Sequence, residues 1–120
     1  MRIHLVVSMA VAVALFAIIA HSAEAASAEE SYRHYCGQCH GEQGKGDGIN
    51  APLISVEPRN HTDSAEMAKL SDTHLYEAVA EGGKKVNKST LMPYYQYTFT
   101  KDEIQALVQY LRKLCNCKGP

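Results

Sequence analysis

The feature that most constrains this 120-residue chain is the segment CGQCH at positions 36–40. It places two thiols and an imidazole within five residues, so any fold must leave space beside them for what they bind. Glycines recur directly afterwards, and they favour a flexible loop in which the backbone can approach another group closely. These glycines are Gly41, Gly44, Gly46 and Gly48.

Three chemistries are compatible with Cys36, Cys39 and His40. A thioredoxin-like dithiol needs a βαβ context, which the sequence lacks. A zinc site needs further ligands, and only Cys115 and Cys117, far away at the end of a predicted helix, could supply them. C-x-x-C-H is the attachment signature for haem, in which each thiol adds to a vinyl group and the histidine supplies a nitrogen to the iron. The motif favours haem and leaves the other two open.

The N-terminus has the layout of a secretory signal peptide. Arg2 supplies a positive charge, an apolar run of sixteen residues extends from Leu5 to Ala20, and Ala23 and Ala25 form an Ala-x-Ala cleavage pattern. The apolar run is shorter than the roughly 20 residues that span a bilayer. We therefore predict that residues 1–25 are removed, that residues 26–120 form one domain, and that the protein is exported to the periplasm without stable membrane insertion.

The formal net charge of the chain is −1. Removal of the signal peptide takes away one basic and one acidic residue, Arg2 and Glu24, so the balance hardly changes. A nucleic-acid-binding surface must be basic to meet the phosphates. Nucleic acid is therefore not an expected partner.

The mature chain has helical rather than strand periodicity. A first helix is predicted over residues 28–38 and a short one over residues 64–70. Ser71 is a candidate N-cap for a further helix that ends at Gly82. Thr100 and Glu103 form a capping-box pattern before an amphipathic stretch that closes the chain. The sequence predicts a small all-α domain with long loops.

An electron-shuttling haem iron needs a sixth ligand, for which methionine and histidine are the usual side chains. The predicted mature chain has two methionines, Met67 and Met92. Met67 is interpreted as apolar filling on a short helix. Met92 precedes Pro93 in a loop before the last helix, and we favour it as the iron ligand. His34, His61 and His74 are interpreted as surface histidines.

These motifs, in this order, resemble the class I c-type cytochromes, small monohaem proteins with His–Met ligation. The resemblance covers essentially the whole mature domain, through YRHYCGQCHG, NAPL, LSDTHLYEAVAEGG, STLMPYY and FTKDEIQALVQYLRKL. It implies a cytochrome c fold with three to five short helices around one covalently attached haem c. It also implies that Tyr32 and Tyr110 mark the crossing of the first and last helices.

The resemblance assigns roles to six residues. Cys36 and Cys39 carry the haem thioethers, His40 is the proximal iron ligand and Met92 the distal one, the Pro52 carbonyl accepts a hydrogen bond from His40, and Arg59 pairs with a propionate. The leading interpretation is a periplasmic one-electron carrier, which is not an enzyme and whose partners are redox proteins. The alternatives are a cytochrome subunit of a dehydrogenase or oxidase, a haem enzyme or gas sensor with a labile distal ligand, and a haem-free zinc or thiol-redox protein.

Cys115 and Cys117 are not explained by the resemblance. A disulfide across a single residue closes a small, strained ring, so we do not expect one here. Residues 115–120 are interpreted as a loose, exposed tail. A monomer is expected, with a dimer linked through these two cysteines as the alternative.

Overall fold

A computed structural model of the protein describes residues 28–120, and the predicted signal peptide lies outside this part. Within it all regular structure is helical, which confirms the all-α prediction. The elements, in chain order, are α1 (residues 28–35), α2 (Gly37–His40), a 3₁₀ turn (Ala51–Leu53), α3 (Ser64–Met67), α4 (Asp72–Glu81), a second 3₁₀ turn (Gly83–Val86) and α5 (Lys101–Cys115). None of these helices is long and apolar enough to cross a membrane.

The two longest of these helices begin where the sequence predicts. The Ser71 hydroxyl accepts a hydrogen bond from the backbone N–H of His74 at 3.1 Å, capping α4. At the start of α5, the Thr100 hydroxyl accepts from the Glu103 N–H at 3.2 Å, and the Glu103 carboxylate accepts from the Thr100 N–H at 2.7 Å. This reciprocal pair satisfies two N–H groups that a helix start otherwise leaves unpaired.

Helices α1 and α5 pack through the aromatic pair predicted to mark their crossing. The rings of Tyr32 and Tyr110 have centroids 5.3 Å apart, and Tyr32 is 1% exposed. Helix α1 is shorter than predicted: it ends at residue 35, and a turn at Cys36 (φ −108°, ψ −30°) separates it from α2.

The core lies between α1, α3, α4 and α5. Its buried apolar side chains include Leu75, Val79, Ile104, Leu107, Val108 and Leu111. Met67 is completely buried, in agreement with its interpretation as apolar filling, and α3 ends at this residue rather than at Leu70.

The C-terminal cysteines differ from expectation. Cys115 is 1% exposed and forms a disulfide with Cys117, the two Cα atoms being 5.2 Å apart. The turn is made by Asn116, whose left-handed backbone (φ 48°) folds the chain back on the end of α5 and brings the thiols together. Cys115 is therefore buried and bonded rather than part of a loose tail, and the oligomeric state stays a prediction.

Candidate functional site

Helix α2 brings the three residues of the C-x-x-C-H motif to one side of the chain. The N–H of Cys39 and that of His40 both donate to the Cys36 carbonyl, at 3.2 and 2.9 Å. Residues separated by three and four positions share a helix face, so the two thiols and the imidazole face the same way. All three line a cavity of about 760 Å³.

The remainder of this cavity is largely apolar. Helices α4 and α5 contribute Leu75, Val79, Leu107 and Leu111, each of which is buried. Their part of the cavity wall therefore offers water no hydrogen-bond partner. A large apolar cavity with a few polar groups is the usual form of a cofactor site.

Met92 lines the same cavity from a loop that is fastened to the end of α4. The Gly83 N–H donates to the Met92 carbonyl at 3.1 Å, and the Tyr95 N–H donates to the Val79 carbonyl at 3.1 Å. Gly82 has φ 82°, and a Cβ atom there would lie 2.9 Å from the Met92 carbonyl oxygen. Only glycine therefore permits this close approach of the loop to the helix end.

The hydrogen bond of the His40 ring corrects one prediction. Nδ1 of His40 donates to the carbonyl oxygen of Arg59 at 3.0 Å, whereas Pro52 was expected to provide the acceptor. Pro52 lies in the first 3₁₀ turn, where the chain leaves α2, and it lines the cavity. Residue 59 lies on the returning segment, which is held by a 2.6 Å hydrogen bond from the His61 N–H to the Gly44 carbonyl. The acceptor for His40 Nδ1 therefore comes from the segment of residues 59–61, and not from the 3₁₀ turn that contains Pro52.

His61 lines the cavity, whereas the sequence interpretation placed it on the surface. It is 8% exposed rather than on the surface, and its Nδ1 lies 2.7 Å from the Tyr32 hydroxyl oxygen. Its ring stacks on that of His40 with a centroid distance of 4.2 Å. The available signal was Tyr32 itself, because a tyrosine buried at a helix crossing needs a partner for its hydroxyl. His34 is exposed as expected, whereas His74 is half-buried and lines the cavity.

Burial governs the protonation of these groups in the chain without a cofactor. It lowers the pKa of His40 and lowers that of His61 well below its ordinary value, so both imidazoles favour the neutral form. It also raises the pKa of the Cys36 thiol to about 12, with the neighbouring Cys39 adding to the effect. Neutral imidazole is the form of histidine that binds metals.

Arg59 and Lys88 also line the cavity, and within residues 28–120 the Arg59 guanidinium makes no ion pair. All six residues singled out from the sequence thus meet at one cavity. The set comprises two thiols, an imidazole, a thioether and a cationic side chain around apolar walls, which fits haem c. No group of three His, Cys, Asp or Glu side chains in the described part of the chain is arranged to hold a metal ion.

The comparisons with known proteins agree with this site. The sequence model of the family described as cytochrome c matches residues 25–115. Among solved structures, the c-type cytochrome KustC0563 is 27% identical, with a TM-score of 0.58 over 72% of this chain and 94% of that one. No curated protein sequence matches significantly.

A second solved structure shares the fold. It is the Kuenenia stuttgartiensis reducing HAO-like protein complex Kustc0457/Kustc0458, which is 22% identical with a TM-score of 0.58. The match covers 73% of this chain but only 41% of the matched one, so the chain corresponds to less than half of that protein. With the family matched over all the described helices, the chain belongs to the cytochrome c family, whose covalently bound haem c and haem-based electron transfer it shares.

Proposed function

We propose that this protein is an exported one-electron carrier of the periplasm that passes electrons between redox enzymes. The observation that carries the proposal is the meeting of Cys36, Cys39, His40 and Met92 on the wall of one cavity. Haem c supplies a ferric–ferrous couple there. Cys36 and Cys39 would hold it through thioether bonds, and the His40 imidazole and the Met92 sulfur would ligate its iron.

The surrounding residues support a carrier rather than a catalyst. If His40 and Met92 both ligate the iron, the protein would leave no coordination position for a substrate. The hydrogen bond from His40 to the Arg59 carbonyl orients the imidazole and raises its basicity. The Arg59 guanidinium, which makes no ion pair within residues 28–120, would neutralise a propionate. Apolar side chains of α4 and α5 keep water out and oppose the accumulation of positive charge.

Carbon monoxide distinguishes this carrier from a haem enzyme or gas sensor. It binds ferrous haem only where an axial position is open or easily vacated. We expect the absorption spectrum of the reduced protein to be unchanged under carbon monoxide. In a separate electrochemical measurement, we expect a reversible one-electron oxidation. Rapid formation of a carbon monoxide complex would contradict the carrier assignment and favour the sensor or enzyme.

The cytochrome-subunit alternative and the periplasmic location need separate measurements. A freely diffusing carrier elutes from the periplasmic fraction at the mass of a single small domain, whereas a subunit co-elutes with a larger oxidoreductase. N-terminal sequencing of the same material tests export. We expect a mature chain that begins just after Ala25, and an intact Met1 would contradict the predicted cleavage.

A further inference from the structure

The segment of residues 59–61 contacts the His40 ring at two places. The imidazole of His61 stacks on it, with planes inclined by 19° and centroids 4.2 Å apart. Two positions earlier, the Arg59 carbonyl accepts the hydrogen bond from His40 Nδ1 at 3.0 Å. His40 is therefore fixed at its edge by a carbonyl and at its face by a second ring.

His61 is itself fixed by contacts of both its backbone and its ring. Its backbone N–H donates to the Gly44 carbonyl at 2.6 Å, and the Tyr32 hydroxyl oxygen lies 2.7 Å from its Nδ1. A Cβ atom at Gly44 would come within 3.3 Å of both His61 Cβ and the Tyr32 hydroxyl. His61 and Tyr32 are therefore closely packed against the Gly44 backbone. Tyr32 in turn packs on Tyr110 of α5. Successive contacts therefore connect Tyr110 to Tyr32, Tyr32 to His61, and His61 to the face of the His40 ring.

We propose that His61 is a positioning residue for the proximal ligand. Its ring, locked by Tyr32, sets the rotation of the His40 imidazole and shields the hydrogen bond to Arg59 from water. This inference rests on the proposed function, because it takes His40 as an iron ligand. Ligand rotation matters because the imidazole π orbitals overlap selectively with the iron d orbitals. Partners of a ligating histidine also tune its basicity.

A purely space-filling role makes different predictions. If His61 only occupied volume in the core, leucine would replace it without affecting the electronic structure at the iron. Removal of the Tyr32 hydroxyl would then cost some stability and nothing more. If His61 positions the ligand, both the replacement of His61 and the removal of the Tyr32 hydroxyl alter the orientation of His40. The loss of the hydroxyl then acts only through the His61 ring.

The test measures two properties of His40 in the haem-loaded protein. One is the set of g values of the ferric state by electron paramagnetic resonance, which reports ligand orientation. The other is the hydrogen exchange of the His40 Nδ1 proton in the ferrous state by NMR. The variants are His61→Leu, Tyr32→Phe and their double mutant. His34→Leu is the control, because His34 is an exposed histidine of α1.

We expect His61→Leu to shift the g values and to accelerate exchange about fivefold to tenfold, as expected for a weakened buried hydrogen bond. Tyr32→Phe should shift both in the same direction by less, and adding it to His61→Leu should have no further effect. The His34→Leu control should match wild type. If His61→Leu does not fold, Tyr32→Phe alone decides.

Three results would overturn the inference. Unchanged g values and exchange rates in folded, haem-loaded variants would leave His61 as a core residue only. Additive effects in the double mutant would show that Tyr32 does not act through His61. A wild-type ferric spectrum without a histidine-ligated low-spin signal would instead overturn the proposed function, and this inference with it.

Discussion

The Nδ1 atom of His40 donates its hydrogen bond to the Arg59 carbonyl oxygen, 3.0 Å away, and not to Pro52. A scalar coupling across this bond identifies the acceptor directly. With ¹⁵N in histidine and ¹³C in the carbonyl of either arginine or proline, we expect a coupling from His40 Nδ1 to an arginine carbonyl only. A coupling seen in the proline-labelled sample would contradict the geometry. In the side-chain variant Arg59→Gln, labelled with ¹³C at the glutamine carbonyl instead, the coupling should persist, because the acceptor is the backbone carbonyl of residue 59.

Met92 should be required for the ligation of the iron but not for the attachment of the haem. Met92→Ala is expected to lose the sulfur–iron charge-transfer band of the ferric spectrum, to bind carbon monoxide when reduced and to have a lower potential, because a thioether ligand raises the potential. Met67→Leu is the matched control, since Met67 is buried within the core. Retention of the band in Met92→Ala would remove Met92 from the site.

Arg112 should be a major contributor to stability at the C-terminal end of α5. Its guanidinium donates to the Met67 carbonyl at 2.9 Å, the Leu70 carbonyl at 2.6 Å and the Asp72 carboxylate at 2.7 Å. Arg112→Met leaves two carbonyls without this donor, and we expect a loss of about 2–4 kcal/mol in the free energy of unfolding. Asp72→Asn should cost less than about 1 kcal/mol because Asp72 is largely exposed. Equal losses in chemical denaturation would contradict this assignment.

The capping box of α5 should make stability depend on acid. Hydrogen bonds from the backbone and side chain of Thr100 hold the pKa of Glu103 below its usual 4.5. The ionised carboxylate therefore stabilises the folded state above that value, and this contribution is lost as the pH falls through the folded pKa. The melting temperature of Glu103→Gln should be lower than that of wild type at pH 7 and converge with it in acid. A gap that stays constant would contradict the assignment.

The cap itself can be tested without changing charge. Thr100→Ala removes the hydroxyl that accepts from the Glu103 N–H, and it should lower the free energy of unfolding by about 1 kcal/mol. Thr100→Ser keeps a hydroxyl and is the matched control. An equal loss in both variants, measured by denaturant titration, would mean that the methyl group rather than the cap is responsible.

The features predicted correctly from the sequence are those set by local spacing. The C-x-x-C-H spacing predicts that Cys36, Cys39 and His40 serve one site, although the helix Gly37–His40 was not predicted, and the caps at Ser71 and Thr100 follow from residue type and position. The backbone acceptor for His40 could not be predicted in this way. Every residue has a carbonyl, and only the path of the folded chain determines which carbonyl lies within hydrogen-bond distance of His40 Nδ1.

The burial of His61 and the disulfide of Cys115 and Cys117 were missed for related reasons. His61 is buried because Tyr32, 29 positions away, supplies a partner for its ring. The disulfide depends on a left-handed turn at Asn116, a conformation that asparagine adopts more readily than most residues but that its presence alone does not require. Both features depend on conformation that residue spacing does not specify.

The central claim is that this chain holds haem covalently through Cys36 and Cys39. The most direct test is mass spectrometry of the mature protein from a host that attaches c-type haem, followed by proteolysis. We expect one haem per chain, located on the peptide that contains CGQCH, and a Cys115–Cys117 peptide that carries no haem. An unmodified mature mass, with Cys36 and Cys39 reacting as free thiols, would contradict the account.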